Sequence, residues 1–120
     1  HVDVLKVQHH GSEHNWHPDF GRRVTADHYI ICGNGAHENP DLQVVQGILD
    51  SRVGPTSKRS KNPETGQPFK LWFNCASSVA KTANKSHIDK ISQKLKSAET
   101  SNPGQVSSFF LTKSSFELDL

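Results

Sequence analysis

The chain has 120 residues, of which 32% are hydrophobic, and its mean hydropathy is −0.65. A chain of this length can form one small domain with a modest core. Its 14 basic and 12 acidic residues give a net charge of +2, which excludes a strongly basic or acidic protein, so an anion site would have to come from local clustering. No run of about 18 apolar residues is present, and we expect no membrane-spanning segment.

The first predicted elements alternate between strands and helices. The β-branched run Val2–Val7 predicts a strand. Pro18 can open a short helix, because proline is tolerated in a first helical turn. Tyr29–Cys32 predicts a second strand, which ends at the turn Gly33-Asn34-Gly35. This order of strand, turn and helix is typical of an α/β protein.

A longer helix is predicted to begin at Asn39-Pro40. Asn39 can cap the helix, Pro40 suits its first position, and Asp41 suits the positive end of the helix dipole. Apolar residues follow at helical spacing and predict one buried face: Leu42, Val45, Ile48 and Leu49.

The second half of the chain begins with a predicted exposed loop, residues 54–68, which contains three prolines and two glycines. This loop carries the basic cluster Lys58-Arg59-Ser60-Lys61. Phe69–Phe73 predicts a third strand, and Ser86–Ala98 an amphipathic helix. Ser108–Leu120 predicts a closing hairpin, because its second arm alternates apolar and polar residues.

The two cysteines, Cys32 and Cys75, lie far apart and match no zinc-binding or redox spacing. Free, buried thiols are the simpler interpretation, and they predict a reducing, cytoplasmic location. No secretory signal is visible, although a leader ahead of His1 would not be seen in this sequence.

Histidines are frequent, with eight in the chain and four of them within residues 9–17. Neutral imidazole is the commonest biological metal ligand. Side chains alternate along a strand, so His9 and His10 can face one ion together only if the chain turns sharply, as Gly11 would permit. Ser12 could donate a hydrogen bond to a ligand or a phosphate. Ordinary surface or core roles are expected for the histidines without informative spacing: His1, His14, His28 and His87.

The string Asp3-Val4-Leu5-Lys6-Val7-Gln8-His9-His10-Gly11-Ser12 resembles the strand and His-His-Gly-Ser loop of the competence-type, DNA-uptake branch of the metallo-β-lactamase superfamily. Residues 26–35 are similar to the next strand and glycine turn of that branch. His37-Glu38-Asn39-Pro40-Asp41 is similar to its histidine–proline segment. The resemblance covers about 50 residues, from His1 to Arg52, and fades from Val53 onward.

The resemblance implies an α/β fold in which two β-sheets pack face to face between helices. Residues 1–120 would supply the C-terminal half of this αββα sandwich, a mixed sheet with flanking helices, and the N-terminal half would be its partner. In that family most metal ligands come from a His-x-His-x-Asp-His motif in the N-terminal half, which is absent here. The implied cofactor is one or two zinc or manganese ions in the complete protein. Gln8 stands where the family commonly has proline, which alters the stiffness of the loop.

The same resemblance implies roles for five residues. His9 or His10 would be the late metal-binding histidine. His37 would be a catalytic residue at the same sheet edge, acting as a ligand, a substrate contact or a proton donor. Ser12 and Asn39 would bind the substrate.

The implied activity is that of a phosphodiesterase or nuclease, acting with metal-activated water on nucleic acid or a nucleotide. Whether the chain itself is an enzyme is open, and we expect it to be inactive alone, because one late histidine does not hold a catalytic metal. Lys58, Arg59 and Lys61 could hold phosphates, but a solvated loop is the simpler interpretation. Two alternatives remain: a degenerate, non-catalytic interaction module, and a small nucleic-acid-binding domain.

Overall fold

A computed structural model of the protein describes all residues from 1 to 120. Strands and helices alternate along the whole chain, as expected for an α/β protein. The elements are β1 (Val2–Lys6), α1 (Pro18–Arg23), β2 (Ala26–Ile31), α2 (Leu42–Val53), β3 (Phe69–Phe73), α3 (Lys85–Ser101) and β4 (Val106–Phe110). Short 3-10 turns occupy several of the connections.

The four strands form one sheet in the order β1-β2-β3-β4, and every neighbouring pair is parallel. The predicted mixed sheet and closing hairpin are therefore wrong. α3 returns the chain to the edge of the sheet where β3 began, so β4 pairs with β3 in parallel, with Phe69 beside Val106 and Phe73 beside Phe110. Residues 111–120 form no strand.

One face of the sheet packs against the helices. Alternate residues of β2 and β3, such as Tyr29 and Leu71, are fully buried there. The apolar face predicted for α2 is confirmed, because Val45, Ile48 and Leu49 are buried and Leu42 is partly buried against the same core. The buried residues of α3 are Ile88, Ile91 and Leu95.

The opposite face of the sheet has no helix on it, since the buried apolar residues of α2 and α3 all belong to the one core cluster of the first face. The strand register places Val4 beside His28, Ile30 beside Trp72, and Trp72 beside Phe109. We call these five residues the open sheet face. Phe109 is 40% exposed, and the other four are half-buried. Apolar side chains thus remain accessible across all four strands.

The beginning of α2 differs from the prediction. The helix starts at Leu42, its N-cap is Asp41, and the Asn39–Pro40 peptide bond is cis. Asn39 is therefore not the cap. Pro40 is buried against Gly11 instead of occupying the first turn of the helix. The packing of Pro40 between loops overrides its preference for a helix start.

The predicted loop 54–68 is mostly exposed, but a buried arginine anchors it. Arg52 is 1% exposed, and its guanidinium donates to the backbone oxygens of Thr65 at 3.1 Å, Gln67 at 2.8 Å and Ala26. The guanidinium carbon also lies 4.4 Å from the centre of the Phe69 ring. The side chain of one α2 residue thus ties the loop to the start of β2.

Both cysteines are free, as predicted, with Cys75 buried and Cys32 half-buried. None of the helices combines the length and the apolar character that crossing a membrane requires.

Candidate functional site

The candidate site lies at the edge of the sheet where β1, β2 and β3 end. Ligands of open parallel sheets bind in the crevice outside the carboxyl ends of the strands. A cavity of about 370 Å³ occupies this position. It is lined by His10, Cys32, Gly33, Asn34, Ala36, His37, Asn39 and Asn74. The structure therefore brings together three of the predicted site residues, His10, His37 and Asn39.

The loop after β1 makes the sharp turn that a joint role of His9 and His10 would need. His9, His10 and Gly11 all adopt left-handed backbone conformations, with φ values of 47°, 60° and 79°. His10 lines the cavity, whereas His9 is exposed and is not among the lining residues. The ring centres of the two histidines are 6.2 Å apart. Only His10 thus faces the cavity.

The imidazole of His10 is held by the chain at one nitrogen. Its Nδ1 lies 2.5 Å from the backbone oxygen of Cys32. A carbonyl oxygen only accepts hydrogen bonds, so Nδ1 carries the proton and Nε2 of the neutral ring keeps its lone pair. Such a contact fixes both the tautomer and the orientation of a metal-binding histidine. His10 is therefore prepared to offer Nε2 to a ligand.

The loop after β2 carries His37 and shares the strained backbone of the first loop. His37 and Glu38 have φ values of 53° and 56°, and the protein has only four residues other than glycine with positive φ. All four lie in the two histidine loops. Residues other than glycine rarely adopt this conformation, and those that do cluster at functional sites.

Pro40 joins the two histidine loops. A Cβ atom on Gly11 would lie 2.5 Å from Pro40 Cβ, and one on Gly33 would lie 2.9 Å from both Pro40 Cδ and the backbone oxygen of His10. The backbone nitrogen of Asp41 donates to the oxygen of Gly11 at 2.9 Å. The loops therefore pack as one unit, and both glycines are required by these close approaches.

Of the two predicted substrate contacts, Asn39 lines the cavity and Ser12 does not. Ser12 is buried, with 8% exposed, and is not among the lining residues of the cavity. Asn39 lines the cavity and is half-buried. Asn74 also lines the cavity; the sequence analysis does not predict it, although its place directly after the predicted strand Phe69–Phe73 is a usable signal. Cys32, which had been assigned only as a buried thiol, is a further lining residue.

No aspartate, glutamate, lysine or arginine lines the cavity. No group of three or more His, Cys, Asp or Glu side chains lies close enough together to hold a metal ion. A zinc site needs at least three protein ligands. His10 fits the role of one imidazole ligand, and this chain does not provide a complete set.

The basic cluster makes contacts of its own. Lys58 Nζ lies 3.3 Å from an oxygen of Asp50, and the Arg59 guanidinium donates to the backbone oxygen of Gly54 at 2.6 and 3.0 Å. Lys61 is exposed.

This basic segment lies at the opposite edge of the sheet from the cavity. Its neighbour Asn62 donates to Thr25 Oγ1 at 3.0 Å, and Thr25 directly precedes the first residue of β2. The cluster and the histidine loops therefore do not form one site on this chain.

No protein-family model, curated protein or solved structure matches this chain.

Proposed function

We propose that this chain is the C-terminal half of a metallo-β-lactamase-type, metal-dependent hydrolase that cleaves phosphodiesters in nucleic acid or nucleotides. The observation that carries the proposal is the meeting of His10 and His37 in one cavity at the carboxyl edge of a parallel sheet. The strained backbone of both loops supports a role in function, because a loop that only connects elements has no need of it.

The residues of this chain would divide the work as follows. His10 supplies one ligand nitrogen, Nε2, with its ring held by Cys32. His37 contacts the substrate or donates a proton to the leaving oxygen. The amides of Asn39 and Asn74 donate hydrogen bonds to substrate oxygens. A bound zinc or manganese ion, or a pair of them, would supply hydroxide near neutral pH.

The open sheet face is an argument for a second sheet that packs on it. Sheets made only of parallel strands occur almost exclusively with both faces covered. Here one face is covered by helices, while Val4, Ile30 and Phe109 stay at least partly accessible on the other, where Phe116 alone stacks on Trp72 from outside the sheet. We propose that a sheet from the N-terminal half packs on this face. It would bring the missing metal ligands to the edge where His10 lies.

The complete reading frame that contains this chain tests the proposal. It should encode a His-x-His-x-Asp-His motif ahead of His1, and the purified protein should contain one or two metal ions. It should also hydrolyse bis(p-nitrophenyl) phosphate and DNA with Mn²⁺ or Zn²⁺. We expect His10→Ala to lower the metal content and abolish turnover. The matched control is His14→Ala, since His14 is exposed and does not line the cavity.

The experiment also separates the alternatives. A complete protein without the motif, metal or turnover would overturn the hydrolase proposal and favour a non-catalytic interaction module, which the open sheet face would equally serve. Salt-dependent DNA binding lost in a variant with Lys58, Arg59 and Lys61 replaced by alanine would favour a nucleic-acid-binding domain. In the structure Lys58 and Arg59 already contact Asp50 and Gly54, which weighs against that candidate.

A further inference from the structure

A histidine outside the cavity holds the segment that joins the two histidine loops. His87 lies in the first turn of α3, and its Nε2 is 2.8 Å from the backbone oxygen of Pro40. The acceptor is a carbonyl, so Nε2 is the donor. His87 is half-buried and Pro40 is buried, which protects this hydrogen bond from competition with water. The contact joins residues 47 positions apart.

The start of α3 also forms the wall behind the His37 loop. A Cβ atom on Gly35 would lie 2.9 Å from Asn84 Cβ and 3.2 Å from Ile88 Cγ1. The Gly35 nitrogen donates to the oxygen of Asn39 at 2.8 Å and closes the loop around His37. Residues 35–40 are therefore in contact with α3 at one end through Gly35 and at the other through Pro40.

The two contacts with α3 hold the backbone of residues 35–40 in an unfavourable conformation. The left-handed conformations of His37 and Glu38 are unfavourable. Such conformations persist only where contacts with the surrounding structure hold the backbone in place. Pro40 is the point where this fixation is shared, because it packs on Gly11 and Gly33 while its oxygen accepts from His87. Without the donor on α3, nothing on that side would fix the Pro40 oxygen.

We propose that His87 is a positioning residue for the candidate site: it holds the Pro40 carbonyl and thereby sets the placement of the His37 loop against the His10 loop. The consequence for catalysis rests on the proposed function, whereas the positioning itself does not. His87 touches no cavity-lining side chain through this bond and acts through Pro40.

Backbone amide exchange measured by NMR on the 120-residue chain tests the positioning. The reporters are the amides of Gly35 and Asp41, which bond to the oxygens of Asn39 and Gly11. His87→Leu removes the donor, and we expect both amides to exchange roughly fivefold faster, the factor set by one hydrogen bond. His87→Gln carries an N–H at the same number of bonds from Cα, and we expect it to restore exchange to within about twofold of the wild type.

Glu99 provides a matched control at the other end of α3, where its Oε1 accepts from the nitrogen of Ser108 at 2.6 Å. Glu99→Leu should speed exchange at Ser108 and leave Gly35 and Asp41 unchanged. The positioning role is overturned if His87→Leu leaves the two reporters unchanged, if they accelerate only in step with the β3 amides, or if glutamine gives no rescue.

Metal content of the protein from the complete reading frame separates this inference from the proposed function. Reduced metal content or turnover in His87→Leu, recovered in His87→Gln, supports the positioning role at the metal centre. A wild-type protein that holds no metal overturns the proposed function, and the exchange data still decide the role of His87.

Discussion

Trp72 Nε1 donates a hydrogen bond to Nδ1 of His28, 3.0 Å away across the β2–β3 pair. The acceptor nitrogen must lack a proton, so the neutral ring of His28 carries its hydrogen on Nε2. The bond satisfies the one polar atom of the indole within the chain. The ring face of Trp72 is stacked on Phe109 and Phe116, with centres 4.3 and 4.9 Å apart. The open sheet face can therefore be buried without leaving the indole nitrogen unpaired.

The open sheet face should bind apolar probes. We expect the 120-residue chain to enhance the fluorescence of the dye ANS, because accessible apolar patches bind it. Phe109→Lys should reduce this signal by about half or more, since it replaces the most exposed apolar side chain of the face with a charge. Val79→Lys is the matched control, as Val79 is 54% exposed but lies in a turn outside the face. Equal loss of signal in both variants would argue against a specific surface.

The junction of the histidine loops should be intolerant of a side chain at Gly11. Gly11→Ala places a Cβ atom 2.5 Å from Pro40 Cβ at a φ of 79°. Both the clash and the conformation are unfavourable, and we expect a loss of about 3 kcal/mol in the free energy of unfolding, measured with urea. At Gly66 no atom lies within 4 Å of a built Cβ, so Gly66→Ala should change it by less than about 0.5 kcal/mol. Similar losses of unfolding free energy in both variants would contradict the close packing of Gly11 against Pro40.

Local patterns predicted the elements well and their pairing poorly. The strand Phe69–Phe73 was predicted with the bounds that the structure has. The alternation of Phe116–Leu120 is equally regular, yet Phe116 stacks on Trp72 and the segment forms no strand. Alternation records that one side of a segment meets apolar atoms. Alternation does not show whether a neighbouring strand lies close enough to pair. Here pairing depends on the end of the sheet to which α3 returns the chain.

The sequence predicted part of the candidate site and missed the contacts that depend on the folded chain. The resemblance alone implied that His10 and His37 lie at one sheet edge, and the parallel sheet supplies the physical reason, because each follows a strand and the carboxyl ends of parallel strands meet. His87 was assigned an ordinary role, since a histidine in a helix carries no sequence sign of a carbonyl 47 positions away. Ser12 was expected to contact the substrate, but the turn at Gly11 buries it away from the cavity lining.

Arg52 should be essential for stability. Its buried guanidinium satisfies the backbone oxygens of Thr65 and Gln67, and it is in no ion pair. Arg52→Met fills similar volume but leaves the buried oxygens of Thr65 and Ala26 without this donor, so we expect a loss of about 3 kcal/mol in the free energy of unfolding. Arg59→Met is the control: Arg59 is exposed and contacts only Gly54, and a change below about 0.5 kcal/mol is expected. Urea denaturation of both variants decides between an anchoring and a dispensable arginine.

Asp19 in α1 provides a test by pH. The hydrogen bond and the positive charge of Arg22 lower the pKa of the Asp19 carboxyl, with smaller contributions from His17 and Arg23. A carboxylate with a lowered pKa stabilises the folded state above its unfolded pKa, and this contribution is lost as the pH falls through the folded value. Arg22→Gln should therefore raise the Asp19 pKa towards its ordinary range in an NMR titration of the side-chain carboxyl carbon. Arg23→Gln should raise it less, because Arg23 contributes least to the shift. Equal shifts in the two variants would show that general charge, rather than the Arg22 contact, holds the Asp19 pKa down.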